Sequence, residues 1–75
     1  MNNRRRQKLR ESLSLLDSAR MIVEEIKYEE EDSLRNLPES FQDSTKSSTM
    51  EDAIDALDSA IESIHEAEEG ITSVL

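Results

Sequence analysis

The sequence predicts an all-α fold, an antiparallel hairpin of two helices. The 75 residues include one Gly, one Pro, one Tyr, one Phe and no Trp, and this composition disfavours a β-rich fold. Apolar residues recur at helical spacing in two separate stretches. One polar segment, PESFQDSTKSST, begins at Pro38 and lies between them. The chain is therefore expected to form a single domain of two helices and a linker.

The first helix is predicted over about residues 3–37. The apolar residues at heptad position a are Leu9, Leu16, Val23 and Leu37. Position d contains Ser12, Ala19, Ile26 and Ser33, position e contains Leu13 and Leu34, and position g contains Leu15 and Ile22. Glu30 interrupts the series at position a, and Pro38 opposes continuation of the helix.

The linker is predicted over about residues 38–48 and the second helix over about 49–73. Ser48 with Glu51, or Thr49 with Asp52, has the spacing of an N-terminal capping box. Position a contains Met50, Leu57, Ile64 and Ile71, position d contains Ala53, Ala60, Ala67 and Val74, and position e contains Ile54, Ile61, Glu68 and Leu75. Alanine at successive d positions would let a neighbouring helix approach closely.

The tetrapeptide LDSA occurs twice, at 16–19 and at 57–60. Both copies place Leu at position a and Ala at position d. This alternation of large and small residues is typical of a packing seam between helices.

A two-helix hairpin leaves a broad apolar face uncovered, so the sequence predicts a homodimer that forms a four-helix bundle. The residues expected in the hairpin core or the dimer interface are Leu9, Leu13, Leu16, Ala19, Val23, Ile26, Ile54, Leu57, Ala60, Ile61, Ile64 and Ile71. Residues 4–10 are strongly basic and residues 29–32 are all acidic. An antiparallel partner would bring opposite charges together, so this orientation of the dimer is favoured.

The charge distribution predicts a partner with a basic surface. The net charge is −9, and all 18 acidic residues follow residue 10. We expect a non-enzymatic protein-interaction module that binds a basic surface of its partner. Candidate partner-binding residues are Met21, Tyr28, Glu24, Glu25, Glu29, Glu31, Asp55 and Asp58. For each carboxylate the alternative is a solvated surface that keeps a small protein soluble.

Two other functions remain open from the sequence. A nucleic-acid-binding regulator could use Arg4, Arg5, Arg6, Lys8 and Arg10 on phosphates, although no aromatic residue accompanies them. A di-iron carboxylate site could use Glu62 and His65, which have the E-x-x-H spacing of such bundles. The heptad phase turns both of these side chains toward solvent, which argues against the metal site. Pairing of the basic cluster with acidic helix ends, within or between chains, is favoured over phosphate contact.

No pattern of catalytic residues is present, so neither enzymatic activity nor a cofactor is expected. The chain contains no Cys. Its basic N-terminus lacks the apolar region of a signal peptide, and no apolar run approaches the roughly 20 residues of a membrane span. A cytoplasmic protein without membrane contact is expected.

Three stretches, MNNRRRQKLRESLSLL, NLPESFQ and MEDAIDALDSAIESI, resemble a group of short, uncharacterised acidic helical proteins of bacterial phages and mobile elements. The resemblance covers most of the chain. It implies a helical hairpin and a mobile-element setting, and it assigns no functional residue. By analogy with small acidic phage proteins that block host enzymes, the resemblance makes a phage-type inhibitor or nucleic-acid mimic one expected form of the interaction module.

Overall fold

The computed structural model describes residues 1–75 as two antiparallel helices joined by a short 3₁₀ turn, which confirms the all-α hairpin. Helix α1 spans Asn3–Arg35 and helix α2 spans Thr45–Thr72. The 3₁₀ turn spans Glu39–Phe41. The molecule measures 59 × 14 × 12 Å along its principal axes, so it is a rod two helices wide.

Local hydrogen bonds define both ends of α1. The side chain of Asn2 accepts a hydrogen bond from the backbone N–H of Arg5 at 2.8 Å, as an N-cap residue does. At the other end the helix stops at Arg35, two residues before the predicted boundary. The N–H of Leu37 donates to the carbonyl of Leu34, which tightens the last turn, and Pro38 has no N–H to continue it.

Helix α2 begins four residues before the predicted start. Ser44 is extended, and its Oγ accepts a hydrogen bond from the N–H of Ser47 at 3.4 Å. Ser48 and Thr49, the caps expected from the sequence, therefore lie inside the helix. The segment contains several Ser and Thr residues that can each cap a helix, and the earliest favourable one defines the start.

The two helices meet along heptad positions a and e, whereas the sequence predicted core residues at positions a, d and e. On α1 the half-buried residues along this seam are Leu9, Leu13, Leu16, Arg20, Val23, Lys27, Glu30 and Leu34. On α2 they are Met50, Ile54, Leu57, Ile61, Ile64, Glu68 and Ile71. The expected core residues Ala19 and Ile26 lie outside this seam and are exposed. Arg20 and Lys27 can occupy positions that face α2 because their charged groups pair with Glu68 and Asp58 of that helix.

No hydrophobic side chain is fully buried, and Ser47, which is 4% exposed, is the most enclosed residue. A two-helix layer has no third element to cover its sides, so each apolar residue keeps part of its surface in water. Neither α1 nor α2 combines the length and apolar character needed to cross a membrane.

Candidate partner-binding site

The hairpin has two unlike sides beside the seam. Because the helices are antiparallel, residues at the same heptad position flank the seam on the same side of the molecule. Lys27 shows this, since its Nζ contacts Asp58 of α2 at 2.6 Å and Glu31 of its own helix at 3.3 Å, both at position b. We define the acidic face as positions b, c and f, and the apolar face as positions d and g.

Carboxylates dominate the acidic face. Its acidic residues are Glu11, Asp17, Glu24, Glu25, Glu31, Asp32, Glu51, Asp52, Asp55, Asp58, Glu62, Glu66 and Glu69. The apolar face contains Leu15, Ala19, Ile22 and Ile26 of α1 beside Ala53, Ala56, Ala60, Ser63, Ala67 and Gly70 of α2. The side chains that would attract a basic partner are therefore concentrated on one side of the rod.

Arg20 organises the centre of the acidic face. Its Nε donates to Oε1 of Glu68 at 3.0 Å, and its terminal nitrogens donate to Glu24 at 2.9 Å and to Asp17. The hydrogen bonds that Arg20 donates to Asp17, Glu24 and Glu68, in that order of effect, raise the pKa of Arg20 above its ordinary value. Glu68, which follows two isoleucines at position e of α2, is half-buried as the acceptor of this bond. The sequence could have indicated this pair, because Arg20 and Glu68 have opposite charges and both occupy position e of their helices.

Lys27 forms the second charged link between the helices. The hydrogen bond with Asp58, and then that with Glu31, raises the pKa of Lys27 above 10.5, although partial desolvation acts in the opposite direction. Its Nζ also lies 5.8 Å from the centre of the Tyr28 ring. Lys27 therefore pairs with Glu31 and Asp58 and lies near one face of the Tyr28 ring.

An open groove of about 450 Å³ runs along the outer side of α1. The residues that line it are Met21, Glu24, Glu25, Tyr28, Glu29 and Asp32. They are neighbours because residues three, four and seven apart lie on adjacent turns of a helix. Met21 and Tyr28 are both strongly exposed, so the groove has an apolar floor bordered by carboxylates.

The structure brings together five of the eight candidate partner-binding residues. Those five are Met21, Tyr28, Glu24, Glu25 and Glu29. Glu31 and Asp58 are instead paired with Lys27, and Asp55 is exposed on α2 outside the groove. Asp32 was missed, although its position seven residues after Glu25 could have revealed it. It makes an exposed ion pair with Arg35 at 3.3 Å.

Only some of the basic residues near the N-terminus share a surface, since Arg4, Arg5 and Lys8 line one groove there. Arg4, Arg5, Arg6, Lys8 and Arg10 occupy five different heptad positions and so point in different directions around α1. None of them makes an ion pair within the chain, so the expected pairing with the acidic end of α2 is not observed there. Pairing between chains stays a prediction. These cations therefore remain available at that end of the rod.

His65 pairs with Glu69, about one helical turn further along α2, rather than with Glu62. Its Nε2 lies 3.0 Å from Oε1 of Glu69, and both side chains are exposed. No three His, Asp or Glu side chains are grouped closely enough to hold a metal ion. The carboxylates of α1 that the di-iron alternative needed are therefore not assembled around His65.

The chain matches no protein-family model, and comparison with curated proteins and solved structures finds none similar to it. Its resemblance to acidic phage proteins stays a prediction, and the argument for function depends on the geometry of the two faces.

Proposed function

We propose that this protein is a non-enzymatic interaction module whose acidic groove binds a basic segment of a partner protein. The observation that supports the proposal is the groove itself, where Tyr28 and Met21 lie among carboxylates on an exposed helix surface. A lysine or arginine side chain can place its charge near the carboxylates and over the Tyr28 ring. The flexible thioether of Met21 can adapt to the aliphatic part of the same side chain.

The carboxylates of the groove differ in their availability. Glu24 is bound by Arg20, and Asp32 is paired with Arg35. Glu25 and Glu29 make no ion pair within the chain, so a basic ligand does not have to displace an existing partner from them. These two residues and Tyr28 are therefore the main binding groups.

The remaining carboxylates act at longer range. A net charge of −9 on a rod 59 Å long steers basic surfaces toward the acidic face and repels polyanions. A protein that occupies a basic surface excludes nucleic acid from it. Inhibition of a nucleic-acid-binding partner is thus the biological effect that we propose, and the resemblance to acidic phage proteins favours this setting.

The proposal is tested by titrating the protein against a fluorescent arginine-rich peptide and following anisotropy at low and physiological salt. We expect Tyr28→Ala and Glu25→Gln each to weaken binding by about tenfold, which is the loss of one good contact. Asp55→Asn is the matched control, because it also removes one charge from the acidic face but lies outside the groove.

Groove binding predicts that Asp55→Asn changes the affinity much less than Glu25→Gln does. Equal losses in the two variants would show that net charge alone attracts the peptide, and would contradict a groove-specific function. Absence of binding at low salt would contradict the proposal as a whole.

A further inference from the structure

We infer that the apolar face docks a second copy of this chain, with α1 packed antiparallel against α1 of that copy and the two helices crossing at Ala19. The inference concerns the side of the hairpin beside the groove and does not rest on the proposed function. Glu29, at position g, borders both the groove and this side.

The face contains a continuous stripe of exposed apolar side chains. Leu15, Ala19, Ile22 and Ile26 follow one another at spacings of four, three and four residues. Leu15 is 72% exposed and Ile22 is 62% exposed. No charged residue occupies position d or g of α1 between Lys8 and Glu29. A contiguous, uncharged stripe of this kind indicates a packing surface that a single chain leaves uncovered.

Helix α2 contributes small side chains to the same face. Its residues at positions d and g between residues 53 and 70 are Ala53, Ala56, Ala60, Ser63, Ala67 and Gly70. A Cβ placed on Gly70 would meet no atom within 4 Å, so the surface is open there. Small residues allow helix axes to approach closely, which favours a neighbouring helix over a bulky loop.

The register of α1 is self-complementary in the antiparallel orientation. With Ala19 on the two-fold axis, Leu15 lies opposite Ile22 of the second copy, and the symmetry repeats this contact on the other side of the axis. Ser12 lies opposite Ile26 of the second copy, so a small residue faces a large one. At each end of the stripe Lys8 lies opposite Glu29 of the second copy.

The charges at both ends of the stripe are free to make these contacts. Lys8, Arg5 and Glu29 make no ion pair within the chain. An open groove of about 390 Å³ also lies at the basic end. It is lined by Met1, Arg4, Arg5, Lys8, Leu9 and Ser12. In this register the groove faces Ile26 and Glu29 of the second copy. The apolar Ile26 matches the apolar residues of the groove, and the acidic Glu29 matches its basic residues.

The contact between Arg20 and Glu68 also determines which residues of α2 lie beside the two-fold axis of the dimer. This contact places Ala19 level with the part of α2 around Ala67. The α2 helices of the two copies would therefore meet through Ala67, with Ser63 of one copy opposite Gly70 of the other. A parallel pairing of the α1 helices would instead bring the two basic ends together, which is unfavourable.

Cysteine cross-linking tests the arrangement directly, because the chain has no cysteine of its own. A disulfide needs Cα atoms about 5.5 Å apart, and only residues beside the two-fold axis approach their own copies so closely. We expect Ala19→Cys to form a disulfide-linked dimer under mild oxidation. Ser18→Cys is the matched control, because Ser18 is adjacent in sequence but occupies position c on the acidic face.

Sedimentation measurements on the full chain test the association and its register. We expect a dimer at micromolar concentration, and a helical monomer for Leu15→Asp, with helicity checked by circular dichroism because Leu15 lies outside the seam. Lys8→Glu should weaken association by about tenfold, and adding Glu29→Lys to the same chain should restore it.

Three results would overturn the inference. The first is a wild-type monomer throughout the micromolar range. The second is a dimer that cross-links equally well through residues 18 and 19, or through neither. The third is a double charge reversal that binds no better than Lys8→Glu alone. The Leu15→Asp variant keeps every residue that lines the groove, so it should still bind the arginine-rich peptide as a monomer. The failure of one proposal is therefore distinguishable from the failure of the other.

Discussion

The guanidinium group of Arg20 links the two helices through Glu68, with Nε and Oε1 3.0 Å apart. Both residues occupy seam positions at which a coiled coil would normally have an aliphatic side chain. Asp17 and Glu24 hold the same guanidinium from its own helix. A charged cluster therefore helps to define the register of α1 against α2, with apolar packing above and below it.

Replacement of Arg20 by Leu should lower the melting temperature by several degrees. The substitution leaves the half-buried carboxylate of Glu68 beside those of Asp17 and Glu24 without a counter-charge. Adding Glu68→Leu should restore the melting temperature to the wild-type value or above, because two leucines extend the apolar seam. Thermal unfolding followed by circular dichroism measures both effects.

Arg35→Leu is the control for that series. It breaks an ion pair in which both side chains are largely exposed, so it should change stability very little. A double variant of Arg20 and Glu68 that is no more stable than Arg20→Leu alone would contradict this account of the seam.

Lys27 should make stability sensitive to alkaline pH. Its pKa in the folded protein is raised above the ordinary 10.5, chiefly by the hydrogen bond with Asp58. The contribution of Lys27 is therefore complete at neutral pH and is lost as the pH rises through the folded pKa. We expect Lys27→Met to be less stable than the wild type at pH 7 and to lose less stability between pH 7 and strongly alkaline solution.

The measurement is a series of melting curves at increasing pH for the wild type, Lys27→Met and Lys46→Met. Lys46 makes no ion pair, so its variant should keep the alkaline loss of the wild type. Parallel pH profiles for the wild type and Lys27→Met would show that the Lys27 pairs add nothing to stability.

Replacement of Ser47 by a residue with a larger side chain should destabilise the protein. Ser47 is the only buried residue, and its N–H donates to the capping oxygen of Ser44 at the start of α2. Ser47→Arg should cost about 1–3 kcal/mol, because a large side chain has no room beside the 3₁₀ turn. The adjacent Ser48 is exposed, so Ser48→Arg should be nearly neutral in the same urea titration. Similar losses in the two variants would indicate a helix-propensity effect instead of packing.

Periodicity predicted the helices well and their mutual rotation less well. The residues at position a, such as Leu16 and Leu57, are half-buried as expected. Ala19 was assigned to the same seam because alanine is apolar, whereas Arg20 was not, because arginine is charged. In the structure Arg20 lies at the seam and Ala19 lies outside it. An arginine can lie at a helix interface when carboxylates on both helices pair with its charge.

The candidate groove was predicted in part. Met21 and Tyr28 were both candidate partner-binding residues, and the structure places them in one groove because they are seven residues apart on α1. The sequence could not separate Glu25, which is unpaired, from Glu31, which Lys27 engages. That distinction depends on which carboxylates lie within reach of a seam cation, and the rotation of the helices determines this.

The absence of a fully buried apolar side chain has a thermodynamic consequence. The heat capacity change of unfolding comes mainly from apolar surface that becomes newly hydrated. A single hairpin whose apolar side chains are only half-buried exposes less additional apolar surface on melting than a domain with a fully buried core does. Its thermal transition should therefore be broad, and its calorimetric enthalpy should vary only weakly with temperature. Covering one side of the rod would sharpen that transition, so the width of the melting curve indicates whether the hairpin is alone in solution.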